Sequence, residues 1–330
     1  MNIYPTNTCY LGIDIGGTKC AVVLGALTDT SAMVIAKRRF PTPNTPAATL
    51  AQCIVVGEEL VHSHDERKLV ALGISCGGPL DSRRGLILSP PNLPGWDTID
   101  VVTPFRQQFG VPVALQNDAN AGALAELQWG AGQGCQTLIF LTLGTGLGAG
   151  LILDGQLYSG SSDLAGEVGH LRLTAGGPVG YGKAGSFEGW CSGSGIAQQA
   201  RSIANEHLTS GTPTRYCPTF AALDQVTAET VGRAAQEGDL VARELWFMVG
   251  QRLGQGIAML IDLLNPERII LGSIYLRQQA LLEPTMYASL RLEALPGALH
   301  HCQILPAGLG EQIGDYASLA VAAQAFAMVR

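Results

Sequence analysis

Asp118 is the carboxylate with the most suggestive setting in this chain. Within residues 111–126, read VPVALQNDANAGALAE, a short apolar strand at 113–115 runs into Asn117 and Asp118, and a helical run at 119–126 follows at once. A carboxylate at such a junction lies where open α/β sheets present their ligands, and there it can take a proton. The same position also suits an Asp that caps a helix by accepting from exposed backbone N–H groups. This stretch alone leaves both readings open. Two glycine–threonine turns flank it, Gly16-Gly17-Thr18-Lys19 and Gly144-Thr145-Gly146, each between apolar runs.

Such turns bring backbone N–H groups close to whatever lies in the bend, with no Cβ to hold a phosphate away. One is ordinary hairpin chemistry. Two suggest a pair of jaws on a polyphosphate. Asp14 ends the first strand and Lys19 follows its turn. The carboxylate can hold Mg²⁺ through water and the ammonium can offset phosphate charge; as alternatives, Asp14 caps the turn and Lys19 is only solvated. A second glycine run, 177–184, fits G-x-x-x-x-G-K, but Ala184 replaces the hydroxyl that would hold Mg²⁺ and Pro178 removes an N–H. Its match to a P-loop is a coincidence of glycine density. Glu167 and His170 lie three residues apart and Glu188 follows, a thin set for zinc but one suited to adjacent sugar hydroxyls.

The elements that must place these residues alternate. Strands are expected at 10–14, 20–24, 33–39 and 69–75, with a helix at 47–62. Residues 82–96 form an apolar, proline-rich loop of the kind that packs over a site. Strands at 138–143 and 149–153 repeat the strand–turn–strand logic, a weak internal duplication. Residues 160–195 are glycine-rich and carry no clear pattern. Helices are expected at 196–207, 220–238 and 239–264, the last closed by Pro266, then a strand at 268–271 and a helix at 315–328.

With 330 residues, 47% of them hydrophobic and only 14% charged, the chain can bury a large core, and its length suggests two domains. A net charge of −7 and the lack of a Lys/Arg-rich run argue against nucleic acid as partner. Eight scattered cysteines without C-x-x-C spacing point to reduced thiols in a cytoplasmic protein. The start, MNIYPTNTCYLGIDIGG, has neither the basic region nor the apolar core of a signal peptide. Residues 128–153 carry no charge, but glycines, Gln and Thr interrupt them, so a buried hairpin fits better than a membrane helix.

LGIDIGGTK, SPPNLPGW, QNDANAGALAE, LTLGTGLGAG, AGEVGH and RIILGS occur in an order that resembles the ROK family of repressors, open reading frames and sugar kinases, over essentially the whole chain. The resemblance implies the α/β, two-domain actin/hexokinase/Hsp70-type ATPase fold with a cleft between domains. Residues 1–117 with 315–330 would form the small domain and 118–314 the large one. It also implies ATP and Mg²⁺ as cofactors, no membrane partner, and a homodimer. Only ten residues precede the first phosphate strand, too few for the DNA-binding domain of the repressors, so the expectation is a kinase. The implied reaction is phosphorylation of a free hexose, glucose to glucose 6-phosphate first. The alternatives are fructose, allose, an N-acetylhexosamine, or a non-catalytic sugar sensor.

By the same resemblance Asp118 is the base for the attacking hydroxyl. Asn92, Asn117, Glu167, His170 and Glu188 match sugar-binding positions. Gly16, Gly17, Thr18, Gly144, Thr145 and Gly146 match the phosphate turns, with Asp14 and Lys19 beside the first. Gly272 and Ser273 match the adenosine segment, where Ser273 replaces a glycine. One motif departs. The family usually reads G-P-C-x-C-G-x-x-G-C-x-E, whereas Val179, Tyr181 and Ser186 stand here in place of the three cysteines. Without thiolates His170 has no partners for a tetrahedral site, so structural zinc is expected to be absent, with Val179, Tyr181 and Phe187 packing the loop instead.

Overall fold

The computed structural model describes residues 7–329. Residues 1–6, part of the N-terminal stretch considered above, and residue 330 lie outside the described residues. By compactness the chain divides into two units: residues up to Phe140 with Gly150–Gly166 and everything from Ala307 on, and Leu141–Ala149 with Glu167–Pro306. This division differs from the expected boundary at 117/118. Residues 118–140 belong with the first unit because the helix there packs small side chains, Ala121 and Ala125 among them, against the C-terminal helix.

In the first unit the chain forms β1 (Thr8–Ile15), β2 (Lys19–Leu27), β3 (Ala32–Pro41), α1 (Pro46–His62) and β4 (Lys68–Cys76). Three two-residue strands follow, β5 (Leu80–Asp81), β6 (Leu86–Ile87) and β7 (Ile99–Asp100), then α2 (Val102–Phe109), β8 (Val113–Asn117) and α3 (Asp118–Trp129). The main sheet has the order β3-β2-β1-β4-β8. β1–β2–β3 are antiparallel, while β4 and β8 run parallel to β1. Both faces are covered, so β1 reads as an unbroken apolar run: Leu11, Ile13 and Ile15 face one core, Tyr10 the other. The register has a chemical consequence. Asp14 pairs with Ser75 and Ser75 with Gln116, so Asp14 and Asn117–Asp118 end parallel strands along one edge.

The remaining elements are β9 (Leu138–Leu143), β10 (Leu147–Leu153), β11 (Gln156–Leu157), β12 (Val179–Gly180), β13 (Lys183–Ala184), α4 (Phe187–Cys191) and α5 (Gly193–Thr209). α6 (Ala228–Gln236), α7 (Leu240–Leu264), β14 (Arg268–Leu271), α8 (Ile274–Glu293), α9 (Pro296–His301), β15 (Gln303–Pro306) and α10 (Ile313–Ala327) complete the chain. A second five-stranded sheet has the order β11-β10-β9-β14-β15. The helix expected at 220–238 is in fact a 3-10 turn, Phe220–Gln225, and then α6, because Thr227 and Thr230 form a reciprocal cap that starts a new helix. α7 is capped at its start by Asp239, whose side chain accepts from the Ala242 N–H, and at its end by Asn265 in the left-handed region before Pro266. α8, α9 and β15 had no counterpart in the sequence-based expectation.

All eight cysteines are buried, free thiols. Among the described residues no helix is long and apolar enough to cross a membrane.

Candidate active site

The candidate residues fall into two groups, one in each unit. In the first, the helix cap differs from expectation. Asn117 is the N-cap of α3, its Oδ1 accepting from the Ala119 N–H at 2.9 Å, and Asp118 is the first helical residue. Asp118 Oδ1 also accepts from Ala119 N, at 2.8 Å, so one carboxylate oxygen is held by backbone while Asn117 does the capping. Burial pushes the Asp118 carboxyl up from its ordinary value, against the lowering effect of these backbone N–H groups. The residue nonetheless keeps access to solvent.

Asp14 is half-buried at the end of β1 and its carboxyl is raised from 3.8 to about 7, first by desolvation and next by the negative charge of Asp118. Cys20 and Asp315 push it further in the same direction, and Lys19 opposes. A divalent cation would relieve two such carboxylates, and hard oxygen donors of this kind, completed by substrate phosphate, suit Mg²⁺. Gly16, Gly17, Thr18 and Lys19 form the turn after Asp14, closed by a Gly16 N–H to Lys19 carbonyl bond of 3.2 Å. Thr42, which sequence reasoning passed over, clamps this turn from the end of β3: its hydroxyl donates to the Gly16 carbonyl at 2.6 Å and its N–H to the Thr18 carbonyl at 3.0 Å. Asn92 is exposed, and its backbone packs against Gly17.

In the second unit, Gly144, Thr145 and Gly146 turn between β9 and β10. The N-terminus of α5 holds the turn, with the Gly193 and Ser194 N–H groups donating to the Gly144 and Thr145 carbonyls at 2.8 and 3.2 Å. Glu188, on α4, reaches the same turn, its Oε2 accepting from the Leu147 N–H at 3.0 Å. Glu167 and His170 bracket a 3-10 turn, Val168–His170, and both are exposed. Gly272 ends β14 with its N–H on the Leu141 carbonyl at 2.9 Å, and Ser273 follows with its hydroxyl 3.5 Å from that of Thr142. A groove of about 800 Å³ opens here, lined in part by Thr145, Ser194, Arg201, Glu229, Ser273 and Arg277. Arg201, Glu229 and Arg277 carried no signal in the sequence because they come from three helices distant along the chain.

Motif order and this geometry meet in one comparison. The model of the ROK family matches residues 10–325. The chain belongs to the ROK family. Among its curated ROK relatives, a glucokinase of Streptomyces coelicolor is 32% identical over 272 residues, covering 79% of this chain and 80% of the relative. The Escherichia coli DNA-binding regulator NagC is 26% identical over 294 residues, 86% of this chain and 68% of its own. Among solved structures, a ROK family glucokinase from Streptomyces griseus, in complex with glucose and AMPPNP, superposes with a TM-score of 0.76 at 28% identity, covering 96% of this chain and 99% of that one. The chain has the actin/hexokinase-type ATPase fold, and these similarities support a sugar kinase.

The stretch in which this ROK member departs from its family's cysteine pattern forms the β12–β13 hairpin and the start of α4. Val179 and Tyr181 are exposed, while Ser186 and Phe187 are fully buried. Of the apolar packing expected for the loop, Phe187 alone supplies it, because the hairpin turns Val179 and Tyr181 outward. His170 stands edge-on to Tyr181, ring centroids 6.3 Å apart. An aromatic ring, an isopropyl group and a hydroxyl offer no thiolate, so this donor set does not fit zinc. Among the described residues no group of three or more His, Cys, Asp and Glu could hold a metal.

Proposed function

We propose that this protein transfers the γ-phosphoryl group of ATP to the 6-hydroxyl of a free hexose, glucose first, with Asp118 as the base. The observation that carries the reading is Asp118 itself: a solvent-open carboxylate, raised above its ordinary pKa, at the first residue of a helix and within electrostatic reach of Asp14. In this reading Asp118 accepts the hydroxyl proton as the sugar oxygen bonds to the γ-phosphorus, and the bond to the β-phosphate oxygen breaks to release ADP. Backbone N–H groups of Gly16–Thr18 and Gly144–Gly146 cradle the phosphates, and the groove beside Ser273 takes the nucleoside. Asn92, Asn117, Glu167, His170 and Glu188 bind the sugar hydroxyls. Asp14 would hold Mg²⁺, which when bound supplies charge neutralisation at the phosphates. A homodimer in a reducing, cytoplasmic setting belongs to the same proposal; light scattering gives its mass directly.

The similarity to glucokinases on both counts, sequence and structure, supports glucose over fructose, allose or an N-acetylhexosamine. The similarity to NagC sustains a second reading, a sugar sensor without turnover. ADP release measured with MgATP across a panel of hexoses separates them. Turnover on glucose supports the kinase, and sugar binding without turnover on any hexose supports the sensor.

A further inference from the structure

The segment that lacks the family's cysteines is bonded to the main chain on either side of it that carries two candidate sugar-binding residues, His170 and Glu188. Ser186 is fully buried, and its hydroxyl works in both directions. It accepts from the Gly189 N–H at 3.1 Å, capping α4, and it donates to the Gly180 carbonyl of β12 at 3.4 Å. One hydroxyl therefore joins the hairpin to the helix that carries Glu188. The two are flush at this point: a Cβ on Gly180 would lie 2.5 Å from Gly189 N and 2.8 Å from the Glu188 Cβ.

At the other side of the hairpin, Lys183 Nζ donates to the His170 carbonyl at 2.7 Å, a charge-assisted bond to the backbone of the other candidate residue. Arg172 Nη1 donates to the Ala184 carbonyl at 2.7 Å, and the Val179 N–H donates to Gln198 Oε1 at 2.7 Å. The Trp190 indole N–H donates to the Thr174 hydroxyl at 2.8 Å, with Arg252 over the ring at 4.9 Å. His170 and Glu188 are both referred to the β12–β13 hairpin, one through Lys183 and the other through Ser186.

We propose that Ser186 and Lys183 are positioning residues for the sugar site, a hydrogen-bonded lock that fixes His170 and Glu188 in a chain whose donor set does not fit zinc. This rests on the kinase reading for what the two side chains bind. Neither residue needs to touch the sugar: Ser186 has no exposed surface, and Lys183 acts through a main-chain carbonyl.

The test compares the wild-type protein with Lys183→Met, Lys183→Arg and Ser186→Ala, using steady-state kinetics with glucose and ATP, amide hydrogen exchange, and zinc content. Lys183→Met is expected to raise the KM for sugar about tenfold, while kcat and the KM for ATP stay within about a factor of two. Lys183→Arg is expected to restore the sugar KM, since a guanidinium can donate to the same carbonyl. Ser186→Ala is expected to give the same split; if it does not fold, the two Lys183 variants decide. An unchanged sugar KM in Lys183→Met, or equal losses in sugar KM, ATP KM and kcat, would overturn the proposal, as would about one zinc bound per wild-type chain. Should the wild-type protein phosphorylate no hexose, the kinase reading fails separately and hydrogen exchange decides this one. Faster exchange at residues 168–171 and 187–189 in Lys183→Met then supports the lock, and unchanged exchange there overturns it.

Discussion

Gly17 and Asn92 touch so closely that a Cβ built on Gly17 would sit 2.2 Å from the Asn92 carbonyl oxygen and 3.0 Å from the Asn92 Cβ. The candidate phosphate turn at Gly16–Lys19 and the apolar loop with its candidate sugar ligand are therefore one packed piece. A change in either is felt by the other.

Gly17→Ala is expected to displace the Asn92 loop, because the obstructing atom is backbone and cannot swing aside. The expected result is a rise of at least about tenfold in the KM values of both sugar and ATP, the cost of mispositioning by a few tenths of an ångström or more. Gly77→Ala, whose Cβ would meet nothing within 4 Å, is the control and is expected to keep wild-type constants. Steady-state kinetics with each substrate varied in turn provides the check.

Asp14 links the site to stability. Its carboxyl is raised to about 7 in the folded protein, against 3.8 ordinarily, so folded chains hold a proton that unfolded chains have already released. Stability is lost as pH climbs through that window, and the loss is complete above about 7. Asp14→Asn removes this cost. In Mg²⁺-free buffer its stability gain over wild type is expected to be absent below pH 3.8, to grow up to about pH 7, and to be constant above it. Denaturant melts at a series of pH values measure this.

Glu126 holds the polypeptide where it enters the C-terminal helix. This fully buried carboxylate accepts from the N–H groups of Ala131 at 2.7 Å, Gly308 at 3.0 Å and Leu309 at 3.0 Å. Glu126→Ala leaves three donors without their acceptor and opens a cavity. A loss of more than about 3 kcal/mol is expected, read as a lower urea midpoint, with Glu126→Gln intermediate because one acceptor oxygen survives.

Ser273 adopts φ 56° and ψ −115°, a conformation that glycine tolerates and serine does not favour. Ser273→Gly is expected to stabilise the protein by about 1 kcal/mol, whereas Ser273→Ala keeps the Cβ and gains nothing. Thermal unfolding of the pair separates backbone strain from loss of the hydroxyl.

Much of this was legible in the chain. Apolar runs bounded by glycine and threonine gave away β1, β2, β9 and β10, because strands buried on both faces leave no polar residues to blur the pattern. Asp118 was visible because a short apolar strand at 113–115 runs into it just before a helical run begins. Other features were hidden for physical reasons. α8 carries Pro284 and a non-helical Gln278, so its periodicity breaks where the helix kinks. β15 has four residues, too few to show alternation. The capping role went to Asn117 rather than Asp118 because adjacent Asx residues compete for the same N–H groups, a contest that only backbone geometry decides. Thr42, Glu126 and Ser186 act through contacts made by folding, and a hydroxyl or carboxylate alone does not announce which distant N–H it will meet.

Asp118→Asn, assayed for ADP release with MgATP and glucose beside glucose binding by calorimetry, tests the central claim most directly. The amide keeps the size and the bond to the Ala119 N–H but cannot take the hydroxyl proton. Glucose binding close to wild type with kcat lowered at least about a hundredfold is the expected result. Turnover within tenfold of wild type would contradict the assignment of Asp118 as the base.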